Sequence, residues 1–112
     1  MTKNYLKKNF HYWQRGYEAP NLEAAVFRFY GKFLKKKKLT KKNTLLDFGC
    51  GQGAAVNFFN KQNINSYGVD ISRKDISIAK KRYKKYKKKY FHIENLDDLK
   101  KKIKMVDVIF CV

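Results

Sequence analysis

From Thr44 onward the chain alternates short apolar runs with stretches whose apolar residues recur every three or four positions. Leu45 and Leu46 form the first run, which passes through Asp47 into the glycine-rich Phe48 to Gly53, and Ala54 to Asn60 then reads as a helix. Asn65 to Val69 is a second short strand ending at Asp70. Ser72 with Asp75 three positions on predicts a capping box, and the helix it opens runs through Ile76, Ala79 and Tyr83 to a basic end near Lys87. Tyr90 to Glu94 predicts a third strand, Asn95 to Lys102 a short helix, and Met105 to Val112 a fourth, almost continuously apolar strand. Upstream, Leu22, Ala25, Val26, Phe29, Phe33 and Leu34 mark an amphipathic helix capped by Asn21 and closed by Lys35 to Lys38. Residues 1–20 show no sustained period and are expected to be an N-terminal arm, with 21–112 as the domain. Strands alternating with helices at this spacing imply βαβ units with right-handed crossovers, a parallel sheet with helices on both faces, and an α/β fold class.

Composition narrows the class. With 112 residues and 44% hydrophobic content the chain is one domain at most and has enough apolar residues for a core. Six glycines, one proline and no internal period set aside collagen-like, low-complexity and solenoid architectures. Two cysteines exclude a disulfide framework, the first ten residues lack a signal peptide's apolar run, and no apolar stretch approaches the ~18 residues of a membrane span. A cytoplasmic chain with free thiols is therefore expected. The net charge of +18 would ordinarily point to a polyanionic partner. Here 23 of the 27 basic residues are Lys, and Asn, Ile, Phe and Tyr are plentiful, residues that share A/T-rich codons, so genome composition is the expected source of much of the charge and a nucleic-acid partner the alternative. The lysine runs also fall at helix ends and before strands, which places them on the sheet edge remote from the glycine segment.

The chemistry concentrates in LLDFGCGQGAA, Leu45 to Ala55. Glycines at 49, 51 and 53 let the backbone turn sharply off a buried strand and clear space for a ligand, and the helix that follows presents unpaired N–H groups. About 20 residues on, Asp70 ends the second strand, where a carboxylate can accept from both hydroxyls of a ribose. The alternative is purely structural: Gly49 ends a strand and Asp70 caps a helix. Two nucleotide cofactors suit the frame. As G-x-G-x-x-A, Gly49, Gly51 and Ala54 match a dinucleotide fingerprint, with Asp70 on the ribose of NAD and an oxidoreductase as the activity. Asp47, two residues before the first glycine, gives D-x-G-x-G-x-G instead.

That pattern resembles the first motif of class I S-adenosylmethionine-dependent methyltransferases, and the likeness runs from Leu45 to Val112. It implies a Rossmann-like sheet of order 3-2-1-4 and a bound S-adenosyl-L-methionine. By that resemblance Asp47 organises the loop and holds the methionine part, Gly49, Cys50, Gly51 and Gly53 line the cofactor, and Asp70 takes the ribose. Ile71 lies beside the adenine. Asn95 and Leu96 follow the third strand, with Asn95 where the family usually has an acid for the adenine amino group and Asp97 as the fallback. Cys111 arrives beside the cofactor from the fourth strand, with Asp107 near that strand's start.

No catalytic base is assigned, since methyl transfer from a sulfonium rests mainly on positioning and the family's acceptor groups usually come from beyond the fourth strand. The acceptor is expected to be a small molecule, with nucleic acid left open and a basic nucleic-acid-binding module as the non-enzymatic alternative. No metal site is expected, because His11 and His92 stand at no ligand spacing and Cys50 and Cys111 alone are too few for zinc; both thiols are expected to be buried. Tyr12, Trp13 and Arg15 of the arm either fold over the cofactor or pack. The family's sheet has three further strands, so the resemblance implies a chain truncated after the fourth, with an exposed apolar edge open to self-association.

Overall fold

The computed structural model describes residues 39–103 and 105–111, with Lys32 alone before them. The arm, the helix starting at Leu22, Lys35 to Lys38 and Val112 lie outside the described residues. In order the elements are β1 (Thr44–Phe48), α1 (Ala54–Lys61), β2 (Asn65–Asp70), α2 (Arg73–Arg82), a 3-10 turn (Lys84–Lys89), β3 (Tyr90–His92), α3 (Leu96–Lys102) and β4 (Val108–Cys111). The four strands form one sheet of order β3-β2-β1-β4, every pairing parallel. This is the Rossmann-like α/β arrangement expected of βαβ units.

Successive residues of β1 serve opposite faces of the sheet. Leu45 packs with Ala55, Phe58 and Phe59 of α1, and Phe110 of β4 stacks on Phe59 with ring centroids 5.5 Å apart. Leu46 belongs to the other face, with Val69, Ile93 and Leu99 of α3. The first face carries α1 and α2, which share a cluster of Val56, Ile76 and Ala79 with Tyr83 and Tyr90. Val56, Phe59, Ala79 and Tyr90 have no solvent exposure, so the core sits mainly beneath these two helices.

Three elements are shorter than expected, each for a local reason. The second helix stops at Arg82 rather than near Lys87, because Tyr83 leaves helical geometry (φ −117°, ψ 62°) to bury its ring against Tyr90, and the lysine-rich 3-10 turn has no buried residue to sustain another α-turn. The third strand ends at His92, since Glu94 N–H is taken by Asp98 Oδ2 (2.8 Å) at the start of α3. The fourth strand begins only at Val108. Before it, Asp107 is fixed to the start of β1: its Oδ2 accepts from Thr44 N–H (2.7 Å), and its own N–H donates to the Thr44 carbonyl (2.8 Å).

The capping box forms as read, Ser72 Oγ accepting from Asp75 N–H at 3.2 Å. The lysine runs, where described, fall on the expected edge: Lys61, Lys80 and Lys81, Lys87 to Lys89 and Lys100 to Lys102 all occupy last turns, which meet the amino-terminal ends of the strands. No helix among the described residues is long and apolar enough to cross a membrane.

Candidate functional site

The segment between β1 and α1 is stitched to the end of β2. Gly49 and Cys50 both donate their N–H to the Val69 carbonyl (2.9 and 3.0 Å), Gly51 N–H donates to Asp70 Oδ2 (2.8 Å), and Gly53 N–H returns to the Cys50 carbonyl (3.1 Å). Gly49, Gly51 and Gly53 all have positive φ, at 79°, 55° and 88°. At Gly53 a second constraint acts, because a Cβ would sit 2.4 Å from the Tyr90 ring. The Tyr90 hydroxyl, fully buried, donates to the Gly53 carbonyl at 2.8 Å, so a residue of β3 holds the last turn of the loop. Burial, with Tyr83 adding, pushes the Tyr90 phenol pKa up and keeps it a donor. Sequence reading missed Tyr90, which is 37 residues away and looks like any strand aromatic. Gly49 differs: beyond its positive φ, a Cβ there would meet nothing within 4 Å, which leaves a clear surface at the start of the loop.

Asp70 is central. Oδ2 accepts from Gly51 and Oδ1 accepts from Ser72 N–H at 2.9 Å, tying the glycine loop to the turn before α2. Each carboxylate oxygen can accept twice, so two lone pairs remain for a ligand. Asp47 is only 6% exposed, and no hydrogen bond reaches its carboxyl among the described residues. Burial first, and the neighbouring Asp70 second, raise its pKa from 3.8 to about 6. Gln52 is buried between them and α2: its amide nitrogen donates to Asp75 Oδ1 at 3.4 Å, while its Oε1 is without a partner.

The remaining candidates divide. Ile71 and Leu96 are large apolar residues left 74% and 62% exposed just past the ends of β2 and β3, on the same edge as the loop. Asn95 stands between them in sequence order and caps α3, its Oδ1 accepting from Asp98 N–H at 3.0 Å. Cys50 turns its side chain into the core with Val56, Ile76 and Ala79, and burial, with Asp47 and Asp70 adding, holds the thiol protonated. From there its Sγ donates to the Gly51 carbonyl at 3.6 Å, bracing the loop from the core side. Cys111 corrects the expectation of two buried thiols: it pairs with Phe48 at the end of β4 but is exposed, on the face opposite that of Cys50. His92 is a satisfied sheet residue, its Nε2 3.1 Å from the Ile71 carbonyl oxygen.

Residues 46–112 match the family described as a methyltransferase domain. Among solved structures, the chain is similar to a SAM-dependent methyltransferase from Anabaena variabilis (TM-score 0.61, 21% identity, covering 78% of this chain and 39% of that one). It is also similar to the plantazolicin methyltransferase BamL, solved with a triazolic desmethylPZN analog and SAH (TM-score 0.55, 28% identity, 92% and 38% covered). A third likeness is to magnesium protoporphyrin IX methyltransferase from Synechocystis with bound SAH (TM-score 0.55, 18% identity, 83% and 49% covered). The chain thus spans less than half the length of each of these three proteins. No curated protein matches it. The match covers the glycine loop, Asp70 and everything to β4, and it decides between the two nucleotide frames that the loop alone left open. The chain belongs to the methyltransferase-domain family.

Proposed function

We propose that this chain forms the S-adenosylmethionine-binding half of a methyltransferase, with a small-molecule acceptor. One observation carries the cofactor assignment: around a loop of three positive-φ glycines, the fold gathers a carboxylate with spare lone pairs, Asp70, and two exposed apolar side chains, Ile71 and Leu96. An adenosine needs those chemistries in that order, polar acceptors for ribose hydroxyls and apolar walls for the base. The clear surface at Gly49 admits the backbone-side approach of the cofactor.

Asp70 accepts from the ribose, and Ile71 and Leu96 sandwich the adenine. Asn95, whose Oδ1 already serves as a cap, offers its remaining lone pair to the adenine amino group or its Nδ2 to a ring nitrogen. Gly49, Gly51, Gly53 and the backbone of Cys50 shape the floor. Asp47 stands behind it as the acid that favours a cationic methionine portion. Cys111 reaches this edge from β4. The bound cofactor supplies a methyl group on a sulfonium, an already activated donor; these residues hold it in place, and no general base is assigned.

The acceptor assignment follows from charge. The loop edge carries Asp47, Asp70, Asp75, Glu94, Asp97 and Asp98 against Arg73 and Lys74, a field that repels a polyanion. Calorimetric titration of the purified chain with S-adenosylhomocysteine and with NADH tests the cofactor. Binding of the first alone is expected; binding of NADH alone overturns the assignment, and binding of neither removes it for this chain.

A further inference from the structure

The opposite edge of the sheet holds a second feature, unrelated to the glycine loop. The last turns that reach it are basic, Asp107 is the acid found there, and the one ion pair among the described residues, Arg73 with Glu94, lies on the other edge. Helix dipoles favour cations in last turns, which accounts for the sign of the charge but not for what lies beneath it. Between the starts of β1 and β2, the end of the 3-10 turn and the end of α3 is a groove of about 530 Å3. Tyr67 and Phe91 form one wall, their ring centroids 6.1 Å apart and tilted by 36°. Lys88, Lys89 and Lys102 stand around them.

The ammonium groups of Lys89 and Lys102 are positioned but not neutralised. Lys89 Nζ donates to Asn65 Oδ1 and sits 4.6 Å from the Tyr67 ring centroid. Lys102 Nζ donates to the His92 carbonyl at 2.8 Å. Each of these partners is uncharged, so neither ammonium is paired with an acid, and both side chains lose much of their freedom. Aromatic rings set in a concave surface rimmed by fixed cations are what stacked bases and their phosphates require together.

We propose that this groove binds single-stranded nucleic acid, as a docking site separate from methyl transfer. The separation is geometric: along β2, which rises about 3.3 Å per residue, Asn65 at the outer end of the groove lies roughly 17 Å and Tyr67 of its wall roughly 10 Å from Asp70 at the glycine loop. A strand held here lies on the edge away from the acidic one, so it tethers the protein rather than serving as its acceptor. The proposal does not rest on the cofactor assignment.

The test is fluorescence anisotropy of a labelled oligouridine of about twelve nucleotides against the purified full chain over a salt series. A variant with Lys88→Ala, Lys89→Ala and Lys102→Ala is compared with one that removes the same charge elsewhere, Lys74→Ala, Lys80→Ala and Lys81→Ala, both checked for folding by circular dichroism. The groove variant is expected to bind about tenfold more weakly than the control variant, and its slope of log K against log salt to fall by about 2, as three phosphate contacts on a single strand require. Tyr67→Leu, which keeps the charge and an apolar side chain, is expected to weaken the oligouridine but not an abasic oligonucleotide of the same length. Equal losses in the two lysine variants overturn the groove, and an abasic strand that binds wild type as tightly as oligouridine overturns base stacking and leaves only diffuse attraction. Competition by S-adenosylhomocysteine, if that ligand binds, would overturn the separation of the two sites.

Discussion

Asp47 offers a perturbation whose size and sign both follow from the structure. A carboxyl with a pKa of about 6 in the native state and 3.8 when exposed is held in its unfavourable charged form at neutral pH, at a cost of about 3 kcal/mol. Between those two values the native protein retains a proton that the unfolded chain has released. The contribution of Asp47 therefore falls as pH rises from about 4 to about 6 and is flat outside that window. Asp47→Asn removes the ionisation while keeping the shape. Urea denaturation of both proteins at several pH values is expected to show the variant gaining relative to wild type as pH rises, the difference widening by about 2 kcal/mol between pH 4 and pH 7. New hydrogen bonds of the amide shift the difference equally at every pH, so the slope is the readout. If the proposed role with the methionine portion is right, the same variant binds S-adenosylhomocysteine more weakly at pH 7 in spite of its greater stability. Parallel pH profiles for the two proteins would refute the burial argument, and stabilisation with unchanged affinity would refute the role.

Gly53→Ala places a Cβ against the Tyr90 ring at a backbone angle that disfavours L residues, and thermal or urea denaturation is expected to show a loss of about 1 to 3 kcal/mol or more. Tyr90→Phe keeps the ring but strands the Gly53 carbonyl, for about 1 kcal/mol in the same assay. Asp70→Asn loses the charge that accepts from Gly51 and Ser72 N–H, so calorimetry should show affinity for S-adenosylhomocysteine down by about tenfold, roughly 1.4 kcal/mol, in a protein that circular dichroism finds folded. Phe59→Ala opens the core between α1 and β4 and is expected to cost about 3 to 5 kcal/mol in denaturation, enough to leave much of the chain unfolded.

The order of elements was legible in the sequence because each carries its own local signal. Leu45 and Leu46 before a glycine cluster, Ser72 with Asp75, and the lysines that close the helices after β1, β2 and β3 are short-range patterns, and among the described residues each structure they predict forms. The parallel sheet agrees with them, since a helix between successive strands supplies the crossover that parallel pairing needs. Asp47, the three glycines and Asp70 stood out for the same reason: their spacing along the chain is the motif. What tertiary structure alone decided lies across the chain rather than along it. No sequence signal tells that the Tyr90 hydroxyl closes on Gly53, that Tyr83 breaks a helix to reach the same cluster, or that Asp107 fastens the start of β1. Cys111, at the end of the edge strand β4, is exposed, whereas Cys50, in the loop after β1, turns into the cluster beneath α1 and α2 on the other face. Alternation along a strand fixes that two neighbours point opposite ways, but which of the two faces is covered depends on where the helices come to rest, and that is settled by packing between residues far apart in the chain.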